Sequence, residues 1–263
     1  MNIDVFDLPL WSAPFGNLLL ERVNYHSSIK KILDIGTGYG FPLLELSQRF
    51  GSETQLLGID IDDNAIQITK NKIAEFGISN TVIEKIDAES LTFDNNFFDL
   101  IVSNNGINNV DNTENAIKEA SRVAKIGSEF VFTFNLYETY SEFYSIFNKI
   151  LKQNGLIEEL RKVEKHRRKK RKGVDEYKRI LTKYNYKIIR IDDGFFNMSY
   201  KNEKAFFEHY FIKKYFLPEW KNIIPTDKQK NIIEQLKNEL HTKSKEKFIN
   251  FGVPFVCITS KKI

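Results

Sequence analysis

A glycine-rich turn at residues 36–40 is the segment of this sequence best suited to binding a small molecule. It follows the apolar residues 31–35, which are typical of a buried parallel strand, and it precedes residues 41–50, whose leucines predict a helix. Glycines at such a turn let a ligand approach main-chain N–H groups without obstruction by Cβ atoms. The segment therefore predicts a ligand site between a strand and a helix.

Two kinds of ligand are compatible with this turn. A dinucleotide site with the pattern G-x-G-x-x-G would require glycine at position 41, where the chain has Phe41. Instead, the acid Asp34 lies within the strand, two residues before Gly36. A carboxylate there has no evident use beside a pyrophosphate, but it can orient a cationic ligand directly or through water. The residues therefore favour a ligand that carries positive charge.

The stretch from Asp34 to Gly40 resembles motif I, D/E-x-G-x-G-x-G, of the class I S-adenosylmethionine-dependent methyltransferases. The similarity continues through Asp60 after the second predicted strand, Asp87 after the third and residues 97–103 in the fourth. Residues 119–127 are similar to the helix-to-strand turn that follows in the family. Four further matched elements at compatible spacing carry far more weight than the glycine turn alone.

The resemblance implies how S-adenosylmethionine would be bound. In the family, an acid at the position of Asp60 binds both ribose hydroxyls with Ile61 against the adenine, and an acid at the position of Asp87 accepts from the exocyclic amine. Two alternatives stay open, namely that Asp60 is a solvated acid at a strand end and that Asp87 caps a helix. The residues assigned to cofactor binding are Asp34, Gly36, Thr37, Gly38, Gly40, Asp60, Ile61, Asp87, Ala88, Ser103 and Asn104.

Methyl transfer by in-line displacement requires alignment and desolvation, and needs a base only if the acceptor must lose a proton. The sequence predicts neither a metal site nor a decisive catalytic motif. His209 is the candidate general base, and a structural or solvated role is its alternative. Residues 103–106, Ser-Asn-Asn-Gly, differ from the N/D-P-P-Y/F motif used on planar amines. The single cysteine, Cys257, argues against cytosine C5 and arsenite methylation, and its apolar surroundings predict a core position.

Two segments are expected to shape the pocket for the methyl acceptor. Residues 10–16 form an apolar N-terminal piece, and residues 195–220 contain ten of the 35 aromatic residues of the chain. An apolar substrate cover and an ordinary helix packed by its aromatic face both fit the second segment. The residues assigned to the substrate pocket are Trp11, Phe15, Tyr39, Asn105, Asn108, Tyr200 and Tyr210, with turn formation as the alternative role of Asn108.

The order of predicted elements places these residues on an α/β fold. Five short apolar runs up to residue 134 alternate mostly with helical segments, which is typical of right-handed βαβ units, and two further strands are predicted at 186–191 and 255–260. We expect a Rossmann-like methyltransferase fold with a mostly parallel seven-stranded sheet, helices on both faces and a helical insert, including a helix at 203–216, before the last strand. One domain is predicted for 1–263: an N-terminal lid or helix at 1–28 (helix 15–25), a cofactor-binding core at 29–154 and a C-terminal part at 155–263.

Charge is distributed unevenly over the 263 residues, although the net formal charge is only +4. Residues 1–150 carry 11 Lys+Arg and 21 Asp+Glu, a net of −10, so the remainder carries +14. More than half of that excess lies in residues 161–172, RKVEKHRRKKRK, whose net charge is +8. The run contains no aromatic residue for base stacking, so a solvated face is favoured over contact with RNA or another polyanion.

Composition favours a soluble protein of the reducing cytoplasm, because the chain has one cysteine and no apolar run of about 18 residues. No secretory signal is evident at its N-terminus. Together with the resemblance and the aromatic residues of the insert, these features predict a cytoplasmic methyltransferase that acts on a small aromatic or apolar metabolite. The alternatives are an RNA methyltransferase that uses the basic run and a non-catalytic protein that binds an adenosine ligand.

Overall fold

The computed structural model describes residues 11–263, apart from the side chain of Glu246. Within that range, seven strands form one sheet in the order β3-β2-β1-β4-β5-β7-β6. The strands are β1 Lys31–Ile35, β2 Gln55–Asp60, β3 Thr81–Lys85, β4 Phe98–Asn104, β5 Ala124–Asn135, β6 Tyr186–Tyr200 and β7 Ile249–Lys262. Strands β1 to β5 pair in parallel, and β7 pairs antiparallel with β5. The predicted Rossmann-like, mostly parallel fold is confirmed.

Packing divides the described chain into two compact units, which are considered one at a time. Unit 1 consists of the chain up to Asn135, of Lys172–Gly194 and of Phe255–Ile263. Unit 2 consists of Leu136–Arg171 and Phe195–Pro254. The expectation of a single domain concerns the behaviour of the whole chain in solution, and it stays a prediction.

The helices of the described chain fall into the same two units. Those of unit 1 are α1 Ala13–Arg22, α2 Leu43–Phe50, α3 Asp63–Glu75, α4 Thr113–Val123 and α7 Val174–Lys183. Those of unit 2 are α5 Ser141–Gln153, α6 Ile157–Lys170, α8 Glu203–Glu208, α9 Leu217–Ile223 and α10 Gln229–Glu246. No helix in the part of the chain that the structure describes is long and apolar enough to cross a membrane.

Local sequence explains where several of these helices begin. The Asp62 carboxylate accepts hydrogen bonds from the N–H groups of Asn64 and Ala65, which caps α3. The Asn112 side chain caps α4 in the same way. In α1, Pro14 stands in the first turn, where its missing N–H costs nothing. That helix therefore covers Ala13–Arg22 rather than the predicted residues 15–25.

The predicted elements are least accurate in the last third of the chain. Strand β6 continues nine residues beyond its expected end at residue 191, and β7 begins at Ile249 rather than at 255. Along β6 the side chains mostly alternate between half-buried and exposed, which is typical of an edge strand. The helix expected at 203–216 is interrupted, because the extended backbone of His209 ends α8 and one turn of π-helix follows at Ile212–Phe216.

The core of unit 1 lies between the sheet and its helices, and its centre is β1. Four of the five β1 residues are buried, because β2 and β4 flank the strand. Cys257 lies in this core, as its apolar neighbours predict. Burial raises the pKa of its thiol to about 12, so the group stays protonated and unreactive at neutral pH.

Candidate functional site

The glycine turn after β1 has the backbone geometry that only glycine adopts easily. Gly36, Gly38 and Gly40 have φ angles of 73°, 55° and 100°. A Cβ atom on Gly36 would lie 2.8 Å from the Cα of Gly106, so the loops after β1 and β4 touch at this point. A Cβ on Gly38 would meet no described atom within 4 Å. The turn is therefore packed on one side and open on the other.

Neighbouring elements hold this turn in place. The N–H groups of Gly36 and Thr37 both donate to the carbonyl of Ile59, at 2.9 and 3.0 Å. From α3, the Thr69 hydroxyl donates to the Gly38 carbonyl at 3.0 Å, and the Lys72 ammonium donates to the Tyr39 carbonyl at 2.9 Å. The open face of the turn is thus a fixed surface.

Asp34 is the most unusual residue of the site. Its side chain is completely buried in β1, opposite Gly58 of β2 and Val102 of β4, and neither carboxylate oxygen has a hydrogen-bond partner among the described residues. The nearby Thr37 hydroxyl donates to the main-chain carbonyl of Asp34 instead, at 3.1 Å. Burial raises the pKa of Asp34 to about 7; Thr37 opposes this shift, and the charge of Asp60 adds to it.

Asp60 lies at the end of β2 and is bound to the glycine turn. Its carboxylate accepts N–H hydrogen bonds from Gly38 at 2.7 Å, from Ile61 at 2.8 Å and from Asp62 at 3.0 Å. The alternative of a merely solvated acid does not describe this arrangement. The following side chain, Ile61, is 67% exposed, which leaves an apolar surface beside the carboxylate.

Asp87 lies in the turn after β3 and is exposed. One of its carboxylate oxygens accepts from the N–H of Glu89 at 2.9 Å, and its neighbour Ala88 is buried. The alternative that Asp87 caps a helix is wrong, because β3 is followed by turns and then by β4. A role for Asp87 toward an adenine edge stays a prediction.

Ser103 and Asn104 join the loop after β4 to its surroundings. The Ser103 hydroxyl donates to the carbonyl of Ile35 at 2.8 Å and accepts from the N–H of Ile107 at 3.0 Å. The Asn104 amide donates to the Ser12 carbonyl, and its oxygen accepts from the Thr133 hydroxyl. Both side chains therefore fix the loop, and their contact with a ligand stays a prediction.

Asn105 and Asn108 add unpaired acceptors to the same edge of the sheet. The Oδ1 atom of each is buried without a hydrogen-bond donor among the described residues, although the Asn108 amide donates to Asn135 at 3.0 Å. With the two oxygens of Asp34, four such acceptor atoms lie in β1 and in the loop after β4. Buried acceptors are normally paired, so this arrangement suits a ligand that brings N–H donors or positive charge.

Gly106 is a site residue that the sequence analysis did not select. A Cβ atom there would lie 2.5 Å from the Ile35 carbonyl oxygen and 2.9 Å from the Ser103 hydroxyl, so only glycine fits. In the sequence, its position directly after the polar residues 103–105 could have indicated that it belongs to the site. Gly106 and Gly36 together permit the two loops to touch.

The N-terminal segment contributes to the core of unit 1. Leu10 lies outside the described residues, whereas Trp11 and Phe15 are buried with their rings 5.5 Å apart. Phe15 has no exposed surface and packs 4.6 Å from the ring of Phe255. Tyr39, in the glycine turn, is half-buried. The structure therefore leaves Tyr39 more accessible than Phe15 among the predicted pocket residues.

The remaining predicted site residues, Tyr200, His209 and Tyr210, belong to unit 2. The Tyr200 ring contacts the His209 ring edge to face, with centroids 5.6 Å apart. Burial raises the pKa of Tyr200 to about 12, although its interaction with Tyr140 opposes the shift, and burial lowers the pKa of His209. Tyr210 is half-buried. A neutral His209 is compatible with a general base, and that role stays a prediction.

Most of the aromatic excess at residues 195–220 is accounted for by the core of unit 2. Trp220 is fully buried, stacks on Phe143 with ring centroids 4.0 Å apart and donates to the Tyr144 hydroxyl. Phe206 is also fully buried and packs on Phe251. By contrast, Phe195 is 63% exposed. Ordinary core packing therefore describes Phe206 and Trp220 better than a substrate cover does.

The basic run forms the C-terminal part of α6 and the residues after it, and most of its exposed cations have an acidic partner. Within α6 the pairs are short-range, and the later cations reach Glu219 and Glu176. The pairs are Arg161–Glu158, Lys162–Glu159, Arg168–Glu164, Lys170–Glu219 and Lys172–Glu176. Arg167 and Arg171 are buried, so the expectation of a uniformly solvated face is wrong for these two residues. An RNA partner is not supported.

Comparisons with known proteins place this geometry in context. A family model described as a methyltransferase domain matches residues 26–185. The chain is 33% identical over 134 residues to a ubiquinone/menaquinone biosynthesis C-methyltransferase of Psychromonas ingrahamii, covering 49% of this chain and 53% of that protein. It is 34% identical over 104 residues to a sarcosine/dimethylglycine N-methyltransferase of Halorhodospira halochloris, covering 39% and 36%. The chain thus spans about half or less of the length of these relatives.

The fold is also found among solved structures. The geranyl diphosphate C-methyltransferase of Streptomyces coelicolor A3(2), solved with Mg²⁺, geranyl diphosphate and S-adenosyl-L-homocysteine, has a TM-score of 0.57 to this chain at 15% sequence identity. The likeness covers 94% of this chain and 78% of that one. At this identity the comparison supports the fold alone.

Proposed function

The chain belongs to the class I S-adenosylmethionine-dependent methyltransferases, and from that premise we propose that it transfers the methyl group of S-adenosylmethionine to a small acceptor molecule. The observation that carries the proposal is the fully buried, unpartnered carboxylate of Asp34 beside a rigid glycine turn. A buried carboxylate is costly unless a cation pairs with it. The ammonium group of S-adenosylmethionine would provide such a cation.

The residues at this edge of the sheet fit that cofactor. Asp34, with the unpaired oxygens of Asn105 and Asn108, suits the ammonium group at the methionine end of the cofactor. The open face at Gly38 leaves room for a bound molecule. Asp60 retains lone pairs beyond its three N–H hydrogen bonds, so its carboxylate can also accept from hydroxyl groups. When bound, the cofactor supplies an electrophilic methyl group, and the protein supplies orientation and exclusion of water.

We infer that the acceptor is small and at least partly apolar. The two relatives described above are named for quinone biosynthesis and for methylation of sarcosine, both small-molecule chemistries. The half-buried Tyr39 offers an aromatic surface within the glycine turn itself. We place the protein in the reducing cytoplasm, where its single buried thiol, Cys257, needs no partner.

The proposal is tested by binding and by transfer. We expect isothermal titration of the full chain to show micromolar binding of S-adenosylmethionine and S-adenosylhomocysteine, since buried acceptors gain a cationic partner. A radiolabelled methyl group should then reach members of a panel of small phenols, quinols and amines, with total RNA as the control acceptor. Absence of binding to either compound at millimolar concentration would contradict the proposal, and transfer to RNA alone would exclude a small acceptor.

Substituting Gly38 tests the open face of the turn. We expect Gly38→Ala to weaken cofactor binding at least tenfold, because the new methyl group projects into space that no described atom fills. Gly77→Ala is the matched control, since Gly77 has a similar φ of 63° and is equally open. Each substitution should cost about 1–2 kcal/mol of stability through the positive φ. Equal cofactor affinities of the two variants in calorimetry would show that the turn does not contact the cofactor.

A further inference from the structure

Two arginines of the basic run differ from its other cations. Arg167 lies in the last turn of α6 and Arg171 directly follows the helix, and they are only 7% and 5% exposed. A guanidinium group stays protonated even in a protein interior, so both are buried positive charges. Neither has an ion pair with an acid among the residues that the structure describes, whereas the neighbouring Arg168 pairs with Glu164.

Arg167 is partly satisfied within unit 2. Its Nη2 atom donates to the Tyr137 carbonyl at 2.7 Å, and its guanidinium lies over the rings of Tyr137 and Tyr144 at 3.9 and 4.5 Å. The Nε–H group has no acceptor among the described residues. The aromatic faces thus position the guanidinium while one buried donor stays unused.

Arg171 is less well satisfied. Its guanidinium lies 5.4 Å from the centre of the Tyr144 ring, and both Nε and Nη1 are buried without an acceptor in the described chain. Glu219, an acid close to this segment, pairs with Lys170 and contacts His166. The positive charge of Arg171 acts on its neighbours, because it helps to lower the pKa of His166 and opposes the rise in the pKa of Tyr140.

Apart from Glu219, which pairs with Lys170, the described groups that interact with Arg171 are the Tyr144 ring, the Tyr140 phenol and the His166 imidazole. Tyr140 and Tyr200 interact with each other, and burial keeps both phenols protonated. A cluster of buried donors with excess positive charge is unstable unless an anion completes it.

We propose that Arg167 and Arg171 form a site in unit 2 for an anionic oxygen group, a carboxylate or a phosphate, carried by a small molecule. The guanidinium of Arg171 presents unused N–H donors with the planar geometry that carboxylates and phosphates accept. The burial of both groups excludes the backbone of a nucleic acid, which requires cations at the surface. The binding of this anion does not depend on the proposed function.

The test uses the full chain without S-adenosylmethionine, with sodium pyrophosphate and sodium benzoate as probes against sodium chloride of equal ionic strength. We expect one probe to raise the melting temperature and to bind measurably in calorimetry. A preference for pyrophosphate assigns a phosphate, and a preference for benzoate assigns a carboxylate. If neither probe acts beyond sodium chloride, the proposal is wrong.

Variants make the test specific. Arg171→Met should weaken probe binding at least tenfold and raise the melting temperature of the anion-free protein, because it removes an uncompensated buried charge. Arg168→Met is the control in the same basic run, since the side chain of Arg168 is 72% exposed; it should leave probe binding unchanged. Equal weakening by both variants, or a lower melting temperature for Arg171→Met with retained binding, would overturn the proposal. If Arg171→Met does not fold, Arg171→Lys keeps the charge but should still bind at least tenfold more weakly.

Cofactor binding keeps this test separate from the proposed function. Arg171→Met should bind S-adenosylmethionine as the unmodified chain does, because the described interactions of Arg171, with Tyr140, Tyr144 and His166, include no residue proposed to bind the cofactor. If the unmodified chain binds the anionic probe but not S-adenosylmethionine, the methyltransferase proposal is wrong and the anion site is retained. If it binds S-adenosylmethionine but neither probe, the anion site is wrong and the methyltransferase proposal is retained.

Discussion

Asp34→Asn is expected to weaken binding of S-adenosylmethionine by about a hundredfold or more. The substitution keeps the size of the side chain but removes the charge that would pair with the ligand's ammonium group. Breaking a buried, hydrogen-bonded ion pair costs about 3–5 kcal/mol, and each 1.4 kcal/mol corresponds to about tenfold in affinity. Isothermal titration at pH 8, where Asp34 with its pKa of about 7 is mostly ionised, measures the difference.

The pH dependence of the unmodified chain gives a second measurement of the same group. Below pH 7 a growing fraction of Asp34 is protonated, so cofactor affinity should fall by up to about tenfold per pH unit. In the absence of cofactor, the free energy of unfolding changes with pH in the opposite direction, because it falls as the pH rises. Because folding raises the pKa of this acid from 3.8 to about 7, its contribution is fully present below pH 3.8 and is lost as the pH rises to about 7.

Asp34→Asn should remove both effects. Without cofactor at pH 8, the variant should be about 1–3 kcal/mol more stable than the unmodified chain, since an unpaired amide costs less to bury than a carboxylate. Asp94→Asn, in the turns before β4, changes the same charge and serves as the control for both measurements. Unchanged cofactor affinity in Asp34→Asn would remove this residue from the binding site.

Short-range sequence signals were sufficient to predict the turn and its strand. The apolar residues of β1, the glycines after it and the acid within it are all adjacent in the chain. The unusual state of Asp34 was not predictable, because its burial depends on Gly58 and Val102, contributed by two other strands. The contact between Gly36 and Gly106 likewise joins loops separated by 70 residues. These features depend on tertiary packing, and local sequence patterns do not show which segments pack together.

The basic run is a second case in which tertiary packing overrides what the local sequence predicts. Nine cations in twelve residues are typical of a solvated surface, and the side chains of Arg161 and Arg168, which are 78% and 72% exposed, agree with that expectation. The exceptions, Arg167 and Arg171, are four residues apart, in the last turn of α6 and directly after it. The rings that these guanidinium groups contact belong to Tyr137 and Tyr144, whose spacing of seven residues was a usable signal for stacking. It becomes decisive only when the two segments are known to pack together.

Asp60→Ala is expected to reduce cofactor affinity by about a hundredfold and stability by about 1–3 kcal/mol. The carboxylate accepts three main-chain N–H groups, and one of them belongs to Gly38 in the glycine turn. Removing the acceptor leaves these donors unsatisfied and frees the turn, in addition to deleting the acid proposed to hold the ribose hydroxyls. Calorimetry with S-adenosylhomocysteine and chemical denaturation measure the two losses separately.

Two further variants separate the role of Asp60 in the fold from its role toward the ligand. Asp60→Asn retains one acceptor oxygen, so it should recover more of the stability than of the affinity. Asp63→Ala removes an exposed acid three residues away, whose partner is Lys85, and should change neither quantity appreciably. If Asp60→Ala binds the cofactor as tightly as the unmodified chain does, Asp60 acts only through its hydrogen bonds to the turn and does not bind the ribose. A large affinity loss in Asp60→Asn despite near-normal stability would instead tie the carboxylate to the ribose, because the turn would still be held while the charge was gone.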